Sequence, residues 1–302
     1  MFSNILIGVD GTPGGRDAIA LASRLAGSAA ELTLVHVRAG RWHPMRAAGG
    51  RGAGLEREGA LELLEHERST AGVSVALESI EASSPGAGLH ELAEQRHADL
   101  LVVGSSARGV LGRAMLGDDT RAALNGAPCA VAIAARGYDE HPLPLARIGV
   151  AYNGSPESEA ALAAARELAA PNRSEVRALQ VVSVPASAFT GLAPAAYGET
   201  IDLMLAEAGK RMESIEGARG SAAYGIPGEE LAAFSGELDM LVVGSRGYGP
   251  VKRLVLGSTS AYLERHARCS LLVLPRPHGA RAGAAGADVD GAAEDQPEVG
   301  GG

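Results

Sequence analysis

A glycine-rich stretch, between a strand pattern and a helix-start pattern, is the part of this sequence best suited to bind an anion. It runs from Gly244 to Thr259 and follows the apolar run Met240–Val243. Glycines let a backbone approach a bulky ligand, and a helix N-terminus offers unpaired N–H groups at the positive end of its dipole. Ser258 and Thr259 add hydroxyl donors, and Arg246 adds positive charge. These residue types predict a phosphate-binding loop.

The spacing of this loop excludes two common nucleotide motifs. A P-loop requires Gly-x4-Gly-Lys-Ser/Thr, which the sequence does not contain. The dinucleotide fingerprint follows the first strand of a sheet, whereas here the first strand of the domain is followed by Asn153-Gly154-Ser155-Pro156. No Gly-x-Ser-x-Gly or His-Glu-x-x-His motif is present. We therefore assign no catalytic residue and no metal ligand.

A constant offset indicates that the chain is an internal duplication. Gly104 and Gly244 are 140 residues apart, and so are Gly117 and Gly257. A repeat of this length is a duplicated domain and not a solenoid unit. The predicted order is a domain at 1–135, a linker at 136–145, a second domain at 146–275 and a disordered, acidic Gly/Ala tail at 276–302.

Strand patterns alternate with helix patterns in both halves, which predicts an α/β fold with doubly wound parallel sheets. Aromatic residues make up only 3% of the chain, so its core must be aliphatic, as suits a parallel sheet covered on both faces. The predicted elements include the strands Leu32–Val37 and Val176–Val184, the loops Arg38–Gly54 and Pro185–Gly198, and the helices Asp118–Asn125 and Thr200–Ile215.

The spacing Gly244-x2-Gly247-x9-Gly257-Ser258 resembles the ATP-binding signature of the universal stress protein family. The opening strand that leads to Asp10 and the run Leu34–Val37 resemble the first two strands of that family. The resemblance implies two five-stranded sheets of order 3-2-1-4-5, in an adenine nucleotide α-hydrolase-like fold. It also implies that the last strands of the two halves, Ala130–Ala134 and Leu271–Leu274, pair within one chain.

The resemblance further implies an ATP site in the second half, between its first and fourth strands. Asn153 stands where the family usually has Asp, so it either bonds a ribose hydroxyl without charge assistance or only shapes the turn. These two interpretations remain open. The implied nucleotide-binding residues are Ala151, Asn153, Val184, Val243, Gly244, Arg246, Gly247, Gly257, Ser258, Thr259 and Ser260.

The first half departs from the signature. Ala107 replaces a signature glycine, and Asp118 and Asp119 stand where the second half has Ser258 and Thr259. Two carboxylates at a helix start would repel phosphates, so we expect this half to bind ATP poorly or not at all. Its weaker candidate residues are Asp10, Val37, Gly104 and Gly117.

Three functions compete. The first is an ATP-binding stress-response or regulatory protein, which binds ATP with or without Mg²⁺ mainly in its second domain. The second is an interaction scaffold that binds no nucleotide, and the third is a slow ATPase or nucleotide hydrolase. We favour binding over turnover because no carboxylate is positioned by the sequence to activate water or hold magnesium.

Composition limits the partners and the compartment. A net charge of −9 argues against nucleic-acid binding, which requires a basic face. Cys129 and Cys269 lie in different halves and are predicted to be buried, without zinc-ligand spacing. No secretory leader and no apolar run of about 20 residues is visible, which predicts a cytoplasmic protein without a membrane span. We expect ATP and an unidentified protein as partners, and dimerisation of whole chains stays open.

Overall fold

A computed structural model describes the elements of both halves. The strands of the first half are β1 (Phe2–Gly8), β2 (Ala26–Ala39), β3 (Ala76–Ala82), β4 (Leu100–Gly104) and β5 (Ala130–Ala134), and its helices are α1 (Pro13–Leu25), α2 (Gly52–Ala71) and α3 (Pro85–Arg96). The strands of the second half are β6 (Arg147–Ala151), β7 (Glu175–Val182), β8 (Arg219–Tyr224), β9 (Met240–Gly244) and β10 (Ser270–Leu274), and its helices are α4 (Pro156–Ala169), α5 (Pro194–Glu213), α6 (Pro227–Phe234) and α7 (Ser258–His266). The structure describes residues 2–39, 52–72, 74–105, 123, 125–142, 144–183, 194–245, 254 and 256–276.

The strands form one continuous sheet of ten strands in the order β3-β2-β1-β4-β5-β10-β9-β6-β7-β8. Each half has the predicted order 3-2-1-4-5 with parallel neighbours. The prediction of an α/β, parallel doubly wound fold is therefore confirmed. The two predicted five-stranded sheets join into one, because the last strands of the halves pair with each other.

The junction between the halves is an antiparallel pair of buried strands. Leu272 of β10 lies opposite Ala132 of β5, and both strands are buried at every position. This is the pairing that the sequence resemblance implied. The backbone N–H of Ala135 also donates to the hydroxyl of Ser270, at 3.1 Å. The positions related by the duplication are Ala130 and Pro275, which lack the hydroxyl and the N–H, so the two sides of the junction differ.

The segment between the halves packs closely against helix α1. The carboxylate of Asp17 accepts hydrogen bonds from the N–H groups of Gly137 (3.0 Å) and Asp139 (2.9 Å). Tyr138 and Leu145 belong to the same buried apolar cluster as α1 residues. Burial raises the pKa of Asp17, while the two backbone hydrogen bonds act in the opposite direction. The linker is thus attached to the first half by polar and apolar contacts.

Several predicted boundaries were wrong at the ends of elements. Strand β2 starts at Ala26 rather than Leu32 and runs to Ala39, into the predicted Arg38–Gly54 loop. Helix α5 starts at Pro194 rather than Thr200, so part of the predicted Pro185–Gly198 loop is helical. Proline is favoured at a first helical position because its fixed φ suits the helix and its missing N–H has no intrahelical partner there. The predicted helix Asp118–Asn125 lies outside the described residues apart from Ala123 and Asn125, and so does the tail beyond Arg276.

Candidate functional site

The candidate site is the carboxyl edge of β6 and β9, which are adjacent parallel strands. Val150 of β6 lies opposite Val242 of β9, so Ala151 and Val243 reach this edge side by side. Strand β6 connects onward to β7 on one side and has β9 on the other, so the strand order reverses here. Ligands of open parallel sheets bind at such a reversal. Val243 is buried, whereas Ala151 is partly exposed.

The turn after β6 is shaped by the side chain of Asn153. Its Oδ1 accepts a hydrogen bond from the N–H of Ser155 at 3.1 Å, and Gly154 has a φ of +77°. Asp10 has the same role in the first half, where its Oδ1 accepts from the N–H and the hydroxyl of Thr12. The turn-shaping interpretation of Asn153 is therefore supported. The residue is also exposed, so its amide group remains accessible to a ligand.

Gly244, the first residue of the signature, lies against the start of helix α4. A Cβ at Gly244 would be 2.8 Å from both the Cβ and the carbonyl oxygen of Glu157. The equivalent Gly104 is tighter still, since its Cβ would lie 2.0 Å from the carbonyl oxygen of Gly14. Real Cβ atoms do not approach other atoms so closely, so both strand ends require glycine for packing. Gly244 alone is therefore not a sign of phosphate binding.

An ion pair that the sequence did not predict lies beside Gly244. The Nε of Arg276 is 3.5 Å from Oε1 of Glu157, with side chains 14% and 11% exposed. Glu157 is in the first turn of α4, and Arg276 follows β10 as the first residue of the predicted tail. The duplication aligns Glu157 with Gly14, so the first half has no carboxylate at this position. The ion pair brings both charges to the edge where the signature loop begins.

A second carboxylate near the turn is also paired. Glu159, in the first turn of α4, accepts a hydrogen bond from the hydroxyl of Tyr152. This hydrogen bond is the main cause that raises the pKa of Tyr152 above its usual value. Tyr152 directly follows β6, and its N–H donates to the carbonyl of Leu179 on β7. Both glutamates at this corner therefore have protein partners.

The signature ends at the N-terminus of helix α7. Gly257 is the N-cap, and its N–H donates to the hydroxyl of Ser260 at 2.9 Å. Ser260 is buried, and its hydroxyl also lies 3.2 Å from the carbonyl oxygen of Gly257. The hydroxyl of Ser260 is thus engaged in capping the helix. Ser258 is exposed and Thr259 is partly exposed, so they are more accessible to a ligand.

The residue after each strand-end glycine carries a buried hydroxyl. Within the described part of the chain, the Oγ atoms of Ser105 and Ser245 have no hydrogen-bond partner, and each residue is only 5% exposed. A buried polar group without a partner costs about 1–3 kcal/mol. The N–H of Ser245 is satisfied by the carbonyl of Leu274, at 2.9 Å. Since both halves have this hydroxyl, it does not distinguish the second half.

The remaining predicted residues lie apart from the ends of β6 and β9 or fall outside the described part of the chain. Val37 is partly exposed near the end of β2, and the strand registers make Val181 its equivalent in the second half. Strand β7 ends at Val182, two residues before the predicted end at Val184. The predicted residues outside the described part of the chain are Val184, Arg246, Gly247 and Gly117, with the first-half residues Ala107, Asp118 and Asp119.

Other acidic residues serve the opposite edge of the sheet. Asp99 accepts hydrogen bonds from the N–H groups of Ser3 and Asn4, and Asp239 accepts one from the N–H of Arg147 at 2.7 Å. Both carboxylates tie the starts of adjacent strands together.

Among the described residues, no group of three or more His, Cys, Asp or Glu side chains could hold a metal ion. In the same part of the chain, no helix is long and apolar enough to cross a bilayer.

The comparisons with known proteins all indicate the same family. The model of the Universal stress protein family matches the chain twice, at residues 1–135 and 145–275. Curated relatives include the universal stress protein Rv2005c from Mycobacterium tuberculosis and the universal stress protein Mb2028c from Mycobacterium bovis, each 32% identical over 182 residues. The match covers 58% of this chain and 61% of each relative, so it spans less than two thirds of their length.

Solved structures have the same fold. A universal stress protein from Archaeoglobus fulgidus superposes with a TM-score of 0.64 at 18% identity, covering 91% of this chain and 98% of that chain. A protein of unknown function from Pseudomonas aeruginosa has a TM-score of 0.61 at 18% identity, covering 91% and 93%. At this identity the likeness shows the fold alone.

Proposed function

This chain belongs to the universal stress protein family, and from that premise we propose that it is a stress-response regulator whose second half binds ATP. The observation that carries the proposal is the combination of features at one sheet edge. The ends of β6 and β9 meet where the strand order reverses, and the loop with the signature glycines leads from β9 to the N-terminus of α7. Such an edge, with a helix N-terminus, suits a phosphorylated ligand.

Each part of the site has a proposed role. The N–H groups of Ser258 and Thr259 bind phosphate oxygens, and the loop residues Arg246 and Gly247 complete the phosphate site. Ala151 and Val243 form aliphatic walls for the base, and the exposed amide of Asn153 bonds the ribose. Low aromatic content supports recognition of adenine by aliphatic walls and backbone groups rather than by stacking.

We propose that Mg²⁺ strengthens the binding of ATP. A triphosphate beside Gly244 would lie near Glu157, which forms an ion pair with Arg276. Mg²⁺ is commonly bound by one or two carboxylates together with substrate phosphates, and Glu157 fits the role of such a carboxylate. Binding measured with and without a chelator tests this role, and Glu157→Gln should remove most of the dependence on Mg²⁺.

We propose that ATP is retained as a regulatory ligand and is not turned over at a useful rate. A general base must be free to accept a proton from the attacking water. Glu157 and Glu159, the carboxylates at this corner, are instead held by Arg276 and by the hydroxyl of Tyr152. Release of ADP from stoichiometric ATP, followed over hours, measures the turnover directly.

A thermal-shift experiment tests ATP binding with nucleotide-free protein. ATP at a hundredfold excess over its Kd stabilises the folded state by about 2.7 kcal/mol, which raises the Tm by roughly 5–10 °C. Gly257→Asp should abolish this shift through charge repulsion while it keeps a residue type that helices favour at the N-cap. An unchanged Tm for the parent protein would contradict the proposal and favour the scaffold function.

We propose that the bound nucleotide alters affinity for an unidentified protein partner. Pull-down from cell extract with the parent protein and Gly257→Asp, each with ATP, would test whether any captured protein depends on the nucleotide.

A further inference from the structure

Leu254, a residue of the signature stretch of the second half, is hydrogen-bonded to the first half. Leu254 lies three residues before the N-cap Gly257. Its N–H donates to the carbonyl of Ala127 at 2.8 Å, and its carbonyl accepts from the N–H of Gly126 at 2.9 Å. Gly126 and Ala127 belong to the first half and directly precede β5 and its flanking Cys129. Both backbone polar groups of this loop residue are therefore bound by the other half.

The side chain of Leu254 makes this contact an apolar one as well. Leu254 is fully buried and belongs to the same cluster as Ala123, Ala127 and Cys129 of the first half and Leu263 of α7. Water does not reach such a site, so a broken hydrogen bond there would leave its donor and acceptor unpaired. The burial of the leucine side chain therefore raises the free-energy cost of breaking the two hydrogen bonds.

The first-half partner has a backbone that only glycine adopts easily. Gly126 has a φ of +98°, a conformation in which a residue with a Cβ is strained. Nearby, a ring nitrogen of His90 lies 2.7 Å from the carbonyl oxygen of Ala123, which ties this segment to helix α3. The segment that holds Leu254 therefore contains a glycine-dependent turn and is hydrogen-bonded to helix α3 of the first half.

From this contact we propose that the first half positions the nucleotide loop of the second half, with Gly126 and Ala127 as positioning residues. They act through Leu254 on loop residues that would contact ATP. The inference therefore rests on the proposed function, and it adds a way in which the first half regulates ATP binding. If the loop adopts its ATP-binding conformation for only a fraction of the time, the apparent Kd for ATP rises in inverse proportion to that fraction. By linkage, ATP must strengthen the contact between the halves to the same extent.

The degenerate first half would thus have a function that needs no ligand of its own. A partner or a modification that displaces the Gly126–Ala127 segment would weaken ATP binding in the other half. Since the segment leads directly into β5, it is continuous with the strand pair that joins the halves. The nucleotide site and the junction are thus coupled through one loop residue.

The test compares two glycines of positive φ in the first half of the intact protein. Gly126→Ala strains the residue that donates to Leu254, whereas Gly72→Ala strains a residue of φ +64° whose added Cβ meets no described atom within 4 Å. Calorimetric titration with ATP should give a Kd about five- to tenfold higher for Gly126→Ala and less than twofold changed for Gly72→Ala. Leu254→Ala, which leaves the glycine intact, should also raise the Kd.

Hydrogen exchange supplies a second readout when it is compared with other buried amides of the first half, which ATP slows only by raising the global free energy of unfolding. The amides of Gly126 and Leu254 should exchange at least several-fold more slowly in the parent protein when ATP is bound. An unchanged Kd in Gly126→Ala and Leu254→Ala, while the parent binds ATP, would overturn the inference alone. Exchange at these amides that ATP does not alter would also overturn it. A parent protein that binds no ATP would refute the proposed function, and this inference with it.

Discussion

The strand-end glycines provide a prediction that separates packing from ligand binding. In Gly104→Ala, the new Cβ would lie 2.0 Å from the carbonyl oxygen and 2.3 Å from the carbonyl carbon of Gly14. Both are backbone atoms at the start of helix α1, so the clash cannot be relieved by rotating a side chain. Overpacking usually costs about 1–3 kcal/mol, and this substitution should reach or exceed the upper end of that range.

The second half supplies the matched comparison. In Gly244→Ala, the new Cβ would lie 2.8 Å from atoms of Glu157, which is a milder overlap. We expect this variant to lose about 1–2 kcal/mol and thus less stability than Gly104→Ala. Urea denaturation measures both losses, and the Tm should fall by roughly 2–4 °C for each kcal/mol. Gly209→Ala, whose Cβ meets nothing within 4 Å, controls for the added methyl group.

Two outcomes would refute this reasoning. If Gly104→Ala unfolded within about 0.5 kcal/mol of the parent protein, the glycine would not be required for packing. If Gly244→Ala abolished ATP binding without any loss of stability, the glycine would serve the ligand rather than the helix. We expect the larger loss of stability in the first half, which is not expected to bind ATP.

Three further predictions concern stability and reactivity. Gly59→Ala and Gly209→Ala, at helical positions where a Cβ meets no atom within 4 Å, should each raise the free energy of unfolding by about 0.5–1 kcal/mol in urea titrations. Burial raises the pKa of Cys129 to about 12 and also raises that of Cys269, so iodoacetamide at pH 8 should label neither in the native protein and both in urea, by mass spectrometry. Asp17→Asn should cost about 1–3 kcal/mol, because an amide offers only one acceptor to the N–H groups of the linker. Burial raises the pKa of Asp17 above its ordinary value of 3.8. The contribution of Asp17 to the free energy of unfolding is therefore complete below pH 3.8 and declines as the pH rises through the raised pKa. The difference in stability between the parent and Asp17→Asn should narrow over that interval.

Much of the fold could be predicted because its signals are local. Runs such as Leu100–Gly104 and Met240–Gly244 are continuous and aliphatic, as strands buried on both faces must be. Because the two halves repeat at a constant offset, the pattern of each element appears twice in the sequence, which strengthens its prediction. Loop and element boundaries were less predictable, as at Pro194, because the residues there are compatible with both a loop and a helix.

The chemistry around the candidate site was only partly predictable. Asn153 and the glycines carry a recognisable spacing, so their positions could be named from the sequence. The ion pair between Glu157 and Arg276 joins residues far apart in the chain, and no local pattern indicates which charges meet across a sheet edge. The contact of Leu254 with Gly126 is made by backbone groups, which every residue has, so its sequence carries no distinctive signal.

The stoichiometry of ATP binding tests the central claim most directly. Calorimetry on nucleotide-stripped protein should give one site per chain in the parent, none in Gly257→Asp, and one in Gly117→Asp, the equivalent substitution in the first half. Two sites in the parent, or loss of binding in Gly117→Asp with retention in Gly257→Asp, would contradict the assignment of ATP to the second half.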